Sequence, residues 1–159
     1  METKTFLIIT IVFIILFVVI IIVRKKVDNK PKKGSNRELA MKYIDTFFAD
    51  NPRFIMKDDI KRTYKLARRI IHKQSEKEFT RLLQQKGITV KESALNILQN
   101  CALFNIKAAT ASEIINADYN AIGLYNAVND KKLDLGYISE EQHADNSMLI
   151  VKKFASPLR

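Results

Sequence analysis

The chain has 159 residues and a formal net charge of +10, with four glycines and three prolines, which are few for an all-β fold that needs many turns. Its single cysteine, Cys101, leaves no pair for the disulfides that exported domains of this size often use. The charge is uneven, because residues 53–91 carry a net charge of +8 and residues 92–151 carry −5. The composition therefore favours a helical protein with a basic and an acidic half.

The first element is an apolar run of eighteen residues from Phe6 to Val23, in which Thr10 is the only polar side chain. A helix of that length covers about 27 Å, which is close to the hydrocarbon thickness of a bilayer. The run is long for the core of a signal peptide, and no small-x-small cleavage site follows it. It contains none of the small residues that allow two membrane helices to pack closely, and none of the ionisable groups that mark an ion or proton path. We predict that residues 1–23 form an uncleaved transmembrane anchor.

A basic segment follows the apolar run and sets the expected orientation. Residues 24–36 combine charge, Pro31 and Gly34 in the manner of a flexible linker, for which we expect an end-to-end distance of about 20 Å. The basic cluster that determines topology consists of Arg24, Lys25, Lys26, Lys30, Lys32 and Lys33, and Arg37 extends it. Since basic loops stay in the cytoplasm, we predict an amino terminus outside and the remaining residues inside.

Residues 37–159 are predicted to form a small, soluble, all-α domain of about five to six helices. Ser or Thr is followed three residues later by Glu or Gln at five places, a pattern that is typical of helix starts. These pairs are Ser35/Glu38, Ser75/Glu78, Thr89/Glu92, Thr110/Glu113 and Ser139/Gln142. The predicted helices cover approximately residues 36–49, 57–73, 76–86, 90–105 and 111–130. A last helix within 140–154 is predicted against the alternative of a short strand at 148–151 paired with 133–138.

The apolar pattern also predicts which side chains point inward. In the first helix these are Leu39, Tyr43, Ile44, Phe47 and Phe48. The fourth helix is apolar around most of its circumference, Phe104 included, so we expect it to be the central buried helix. Gly87 is the predicted left-handed cap of the third helix. Four asparagines of the fifth helix are candidates for a polar interaction surface: Asn116, Asn120, Asn126 and Asn129.

The second predicted helix is the most informative segment for function. At 100° per residue its apolar side chains share one side, and its basic side chains occupy an arc from about 80° to about 220°. The arc contains Lys61, Arg62, Lys65, Arg68, Arg69, His72 and Lys73, and no acidic residue interrupts it. One hypothesis is a face that binds the phosphates of lipid headgroups or nucleic acid. The alternative is a solvated face that pairs with the acidic half of the domain.

Other kinds of site lack the residues that they need. Glu140 and His143 have the spacing of one half of a di-metal helix, but Arg69 stands where a second copy would need its carboxylate before His72. The glycines are isolated, so no nucleotide-binding loop is present. Cys101 lies on an apolar helix face, as a small core residue does. No catalytic residue, metal site or cofactor is predicted.

A DNA-binding helix-turn-helix is disfavoured as well. Residues 78–96 superficially resemble one, but the second helix of that motif presents polar side chains to base edges, whereas here it is mostly apolar. No aromatic residues alternate with the basic ones to stack on single strands. Nucleic acid is therefore the less expected anionic partner.

These observations lead to a hypothesis of a single-pass membrane protein whose cytoplasmic domain is a non-enzymatic interaction or tethering module. Its expected partners are the lipid bilayer and an unidentified membrane or cytoplasmic protein. The alternative is a binder of anionic lipid headgroups or nucleic acid through the basic face from Lys61 to Lys73. A third class, a hydrolase or transferase that uses His72 or His143, lacks any supporting motif.

The predicted orientation can be tested with a reporter fused after Arg159. Because basic residues follow the apolar run and scarcely precede it, a reporter that functions only in the cytoplasm should be active in this fusion. The matched fusion carries a reporter that functions only on the opposite side of the membrane and should be silent. Activity of that second reporter would reverse the predicted topology.

Overall fold

A computed structural model of the chain describes residues 31–54, 57–109 and 120–155, and all regular secondary structure in these ranges is helical. The prediction of an all-α domain is therefore confirmed. In chain order the elements are α1 (Asn36–Asp50), a 3₁₀ turn (Pro52–Phe54), α2 (Asp58–Lys73), α3 (Glu76–Lys86), α4 (Val90–Ala108), α5 (Asn120–Asp134) and α6 (Glu140–Ala155). None of these described helices has both the length and the apolarity needed to cross a bilayer. The predicted span, residues 6–23, lies outside the described residues.

Side-chain caps begin four of the described helices, as the sequence predicts. The hydroxyl groups of Ser35, Ser75, Thr89 and Ser139 accept from the backbone amides of Glu38, Glu78, Glu92 and Gln142. At Ser139 the cap is reciprocal, since its backbone N–H donates to Gln142 Oε1 over 3.0 Å. The fifth predicted pair, Thr110/Glu113, lies outside the described residues. Gly87 ends α3 in the left-handed conformation with φ 63°, also as predicted.

The fourth helix is the centre of the domain, as its all-round apolarity predicts. It packs against α1, α2 and α5. Ala94, Leu98, Cys101 and Ala102 are almost completely buried in these contacts. Small residues at three of those four positions allow neighbouring helices to approach closely. The core is thus built around α4, and α1 and α2 pack on it side by side.

Two predicted core residues are on the surface instead. Leu39 is 45% exposed and Phe104 is 63% exposed. The buried face of α1 is centred on Ala40 and Ile44, so Leu39 falls beyond its edge. On α4, Phe104 shares the solvent side with the exposed Asn100. The prediction that these two side chains are buried, which rested on their apolar character alone, is therefore wrong.

The C-terminal part of the domain is a helical hairpin. α5 continues past the predicted end near residue 130 to Asp134, while its predicted start near residue 111 lies outside the described residues. Gly136, with φ 69°, then turns the chain into α6. The alternative of paired strands at 133–138 and 148–151 is wrong, because the first segment ends a helix and turns, and the second lies within α6.

A buried polar cluster joins α5 to α6 and α4. Asn129 is fully buried and donates through Nδ2 to the carbonyl oxygen of His143 over 2.9 Å. Its Oδ1 accepts from Gln99 over 3.2 Å, and Gln99 Oε1 accepts from Lys132 Nζ over 2.8 Å. Burial lowers the pKa of Lys132, and the nearby Glu92 partly opposes this effect. The predicted polar interaction surface is therefore wrong at Asn129, which fixes a helix interface.

Three further caps connect residues that are far apart in sequence. Buried Arg37 donates from Nε to the carbonyl oxygen of Ile71 (3.2 Å) and from Nη2 to that of His72 (2.7 Å), at the end of α2. In the opposite direction, Glu76 accepts from the backbone N–H of Arg37 and of the preceding residue at the start of α1. Asp59 accepts from Ala121 N over 2.8 Å at the start of α5. Charged side chains from distant parts of the sequence thus form hydrogen bonds with the backbone groups that helix ends leave unpaired.

Replacing Arg37 tests how far these long-range caps stabilise the domain. Arg37→Met leaves the buried carbonyl oxygen of Ile71 and the partly buried one of His72 without their guanidinium donor, so we expect the free energy of unfolding to fall by about 2–4 kcal/mol. The measurement is urea unfolding of the full chain in uncharged detergent, followed by far-ultraviolet circular dichroism. Lys33→Met is the control, because Lys33 is exposed and its replacement should change stability by less than about 0.5 kcal/mol. Equal effects of the two changes would contradict a capping role.

Candidate anion-binding face

The solvent side of α2 carries the predicted basic residues, which we call the basic face. It comprises Lys61, Arg62, Lys65, Arg68, Arg69, His72 and Lys73, of which only Arg68 is partly buried and the other six are exposed. Ile60, Thr63, Ala67 and Ile71 form the buried side of the same helix. The separation of the two sides follows from the helical period, so the sequence predicted it correctly.

Most cations of the basic face form no ion pair with a described residue. Lys61 pairs with Asp58 one turn earlier at 3.6 Å, and Arg68 pairs with Asp45 of α1. Among the described residues no ion pair or side-chain hydrogen bond involves the other four exposed cations, Arg62, Lys65, Arg69 and Lys73. The predicted pairing of this face with the acidic half is therefore not found in the described parts of that half. The positive charge is directed to solvent.

One carboxylate of α1 organises the middle of the basic face. Both oxygens of Asp45 accept from Arg68 Nη1, one at 2.6 Å, and Tyr64 Oη donates to Asp45 over 2.7 Å. The Arg68 guanidinium also lies 5.4 Å from the centre of the Tyr64 ring. Burial and the Asp45 carboxylate raise the pKa of Tyr64, while the hydrogen bond to Asp45 raises the pKa of Arg68. Sequence reasoning identified neither Asp45 nor Tyr64 in this role.

Two depressions lie along the seam between α1 and α2, one on each side of the Asp45–Arg68 pair. The first, the apolar groove, has a volume of about 430 Å³ and is lined by Asp45, Phe48, Ala49, Ile60, Lys61, Tyr64 and Lys65. The second, the Met41 pocket, has a volume of about 380 Å³ and is lined by Met41, Arg68, Arg69, His72 and Lys73. The basic face is therefore not a uniform row of charges, since one end contains a concave cationic site.

The Met41 pocket lies at the end of the domain where the chain enters from the linker. α1 and α2 run antiparallel, because Arg37 contacts the last turn of α2 whereas Asp45 contacts its middle. The start of α1 and the end of α2 are thus joined by hydrogen bonds. Lys32 and Lys33, the described members of the predicted topology cluster, are exposed just before α1. The remaining four members lie outside the described residues.

The other candidate residues have structural partners or are inaccessible. His143 Nε2 lies 2.8 Å from Asp130 Oδ1, and in the described ranges no three His, Cys, Asp or Glu side chains are grouped so that they could hold a metal ion. Cys101 is 2% exposed, and burial raises the pKa of its thiol to about 11. A thiol with such a pKa contains very little of the reactive thiolate near neutral pH.

A comparison of the chain with known protein families, curated proteins and solved structures found no match.

Thiol labelling tests whether Cys101 can act as a nucleophile. Since burial raises its pKa to about 11, Cys101 should react with a maleimide at pH 8 far more slowly in the folded full chain than in the chain unfolded by guanidinium. Mass spectrometry of timed samples measures both rates. A folded-state rate equal to the unfolded one would contradict the buried position and reopen a thiol-based activity.

Proposed function

We propose that the chain is a non-enzymatic tethering module whose helical domain is held against the cytoplasmic surface of a membrane by contacts with anionic lipid headgroups. The observation that carries this proposal is a set of exposed cations on α2 that have no anionic partner among the described residues, namely Arg62, Lys65, Arg69 and Lys73. The predicted anchor and linker place the domain beside headgroups. The basic face then provides the surface that orients it there.

The energetics of surface electrostatics support this arrangement. A Lys or Arg near an anionic membrane surface contributes about 1 kcal/mol, and this attraction decays over about 8–10 Å at physiological salt. Four cations on one helix side are therefore sufficient for a weak, salt-sensitive attachment. The same contacts by a domain without an anchor are transient. With an anchor, they determine which side of the domain faces the bilayer.

A protein partner is the second candidate, and one feature favours it. In α6, Met148, Leu149 and Val151 are 49%, 52% and 56% exposed. Three large apolar side chains within four residues form a surface of the kind that other proteins contact. This surface is on α6 and not on the basic face. Binding of a protein there is compatible with binding of headgroups by α2.

The headgroup proposal is tested with a fragment that begins at Lys32 and ends at Arg159, so that the predicted span cannot mediate binding. Circular dichroism first checks that the fragment is helical. It should then sediment with phosphatidylglycerol vesicles but not with phosphatidylcholine vesicles, and the bound fraction should fall steeply as salt rises. Duplex DNA in place of vesicles tests the nucleic acid alternative.

A pair of triple variants shows whether binding depends on the position of the charges. Arg62→Gln/Lys65→Gln/Arg69→Gln should abolish vesicle binding and leave the melting temperature nearly unchanged, because the three side chains are exposed. Lys86→Gln/Lys107→Gln/Lys131→Gln removes the same charge from exposed positions on α3, α4 and α5 and should retain most of the binding. Equal losses of vesicle binding in both variants would mean that binding depends only on the net charge of the domain. That result would contradict a role for the basic face in particular.

A further inference from the structure

We propose that the Met41 pocket is a specific site for a ligand that carries two closely spaced phosphate groups, and this inference rests on the proposed contact with anionic headgroups. The pocket brings Arg68, Arg69, His72 and Lys73 of α2 around the side chain of Met41. Elsewhere on the basic face, Lys61 and Lys65 border the apolar groove and Arg62 lines neither depression, so of these two depressions the Met41 pocket gathers more cations. A concave site with several donors can distinguish one phosphate arrangement from another.

The spacing of the cations on the helix suits an extended anion more than a single charge. Arg69 and Lys73 are one helical turn apart, about 6 Å along the axis, and neither has an anionic partner among the described residues. A single phosphate between these two residues would draw both positive charges toward one group. Two linked phosphates can give each cation its own phosphate group while the two cations stay apart. The ligand class that fits is therefore a diphosphate or a bis-phosphorylated headgroup.

Two members of the pocket are already held in place. Arg68 uses only Nη1 for Asp45 and Tyr64, so Nη2 and Nε have no hydrogen bond to any described residue. His72 Nδ1 lies 3.5 Å from Arg37 Nη2. Since a guanidinium can only donate, a neutral His72 carries its proton on Nε2, which is then a donor. Prior ordering of these groups reduces the entropy lost when an anion binds.

The apolar groove on the other side of Asp45 is a poorer site for such a ligand. Its floor contains Phe48 and Ile60, and Lys61 is already paired with Asp58. Phosphate groups placed on that floor lose hydration without gaining enough donors. The position of the Met41 pocket beside Arg37 also brings it within the reach of the linker, about 20 Å from the end of the predicted span. We therefore assign the diphosphate ligand to the Met41 pocket alone.

The test uses the full chain in uncharged detergent, titrated with lipids and followed by native mass spectrometry. Cardiolipin has two phosphates in one headgroup, and phosphatidylglycerol, which has one, is supplied at equal total charge. We expect cardiolipin to bind about tenfold more tightly, which corresponds to about 1.4 kcal/mol. Calorimetric titration with inorganic pyrophosphate measures whether a soluble diphosphate binds. If it occupies the same site, pyrophosphate should also displace cardiolipin. Pyrophosphate binding without cardiolipin binding would identify a soluble ligand as the source.

Two double variants of equal charge separate a pocket from diffuse attraction. Arg69→Gln/Lys73→Gln should remove the preference for two phosphates and the binding of pyrophosphate. Arg62→Gln/Lys65→Gln lies on the same helix outside the Met41 pocket and should lower the affinity for both lipids while their ratio persists. Equal loss of the ratio in both variants, or no preference in the parent chain, would overturn the inference. Salt-sensitive vesicle binding without any preference would leave the proposed function standing, whereas absence of all anionic binding would remove both.

Discussion

The guanidinium of Arg37 joins the beginning of α1 to the end of α2, and the arrangement of the rest of the domain depends on this contact. Its Nη2 donates to the carbonyl oxygen of His72 over 2.7 Å, while Glu76 at the start of α3 accepts from the first amides of α1. Two helix ends, the start of α1 and the end of α2, are therefore satisfied by two charged side chains, and Glu76 brings the start of α3 to the same place. Because a buried guanidinium without acceptors is costly, the antiparallel pairing of α1 and α2 has little freedom to shift.

That fixed pairing determines what the basic face can do. Once Ile60, Ala67 and Ile71 are turned toward α4, the basic side chains must project away from the core or along the seam with α1. Met41 and Asp45 of α1 lie at this seam, so the packing of α1 against α2 places part of the row of charges in the Met41 pocket. The site is a property of two helices held in register and not of α2 alone.

The sequence predicted features that depend on neighbours within one helix and missed those that depend on distant residues. Capping pairs such as Ser75/Glu78 and the left-handed Gly87 involve residues at most four positions apart, and their positions were correct. Arg37 was grouped with the flanking topology charges because nothing local marks it as a cap for Ile71 and His72. Likewise, the helical repeat of α2 predicted the arc of basic residues. The Met41 pocket could not be predicted in this way, because it depends on how α1 is aligned against α2.

The like-signed charge on α2 has an energetic cost that the described part of the domain relieves only at two positions. Lys61 and Lys65, Lys65 and Arg69, and Arg69 and Lys73 are each four residues apart, a spacing at which like charges repel by about 0.2–0.5 kcal/mol per pair. An acidic residue at one of these exposed positions would replace repulsion with attraction at no cost in packing. Among the described residues only Asp58 and Asp45 neutralise any of this charge, at Lys61 near the start of the helix and at Arg68 in its second half. The uncompensated repulsion therefore extends along the whole exposed side of α2. Arg69 and Lys73, which form no ion pair with a described residue, are the neighbours that share the Met41 pocket, so one anion bound there would offset both charges.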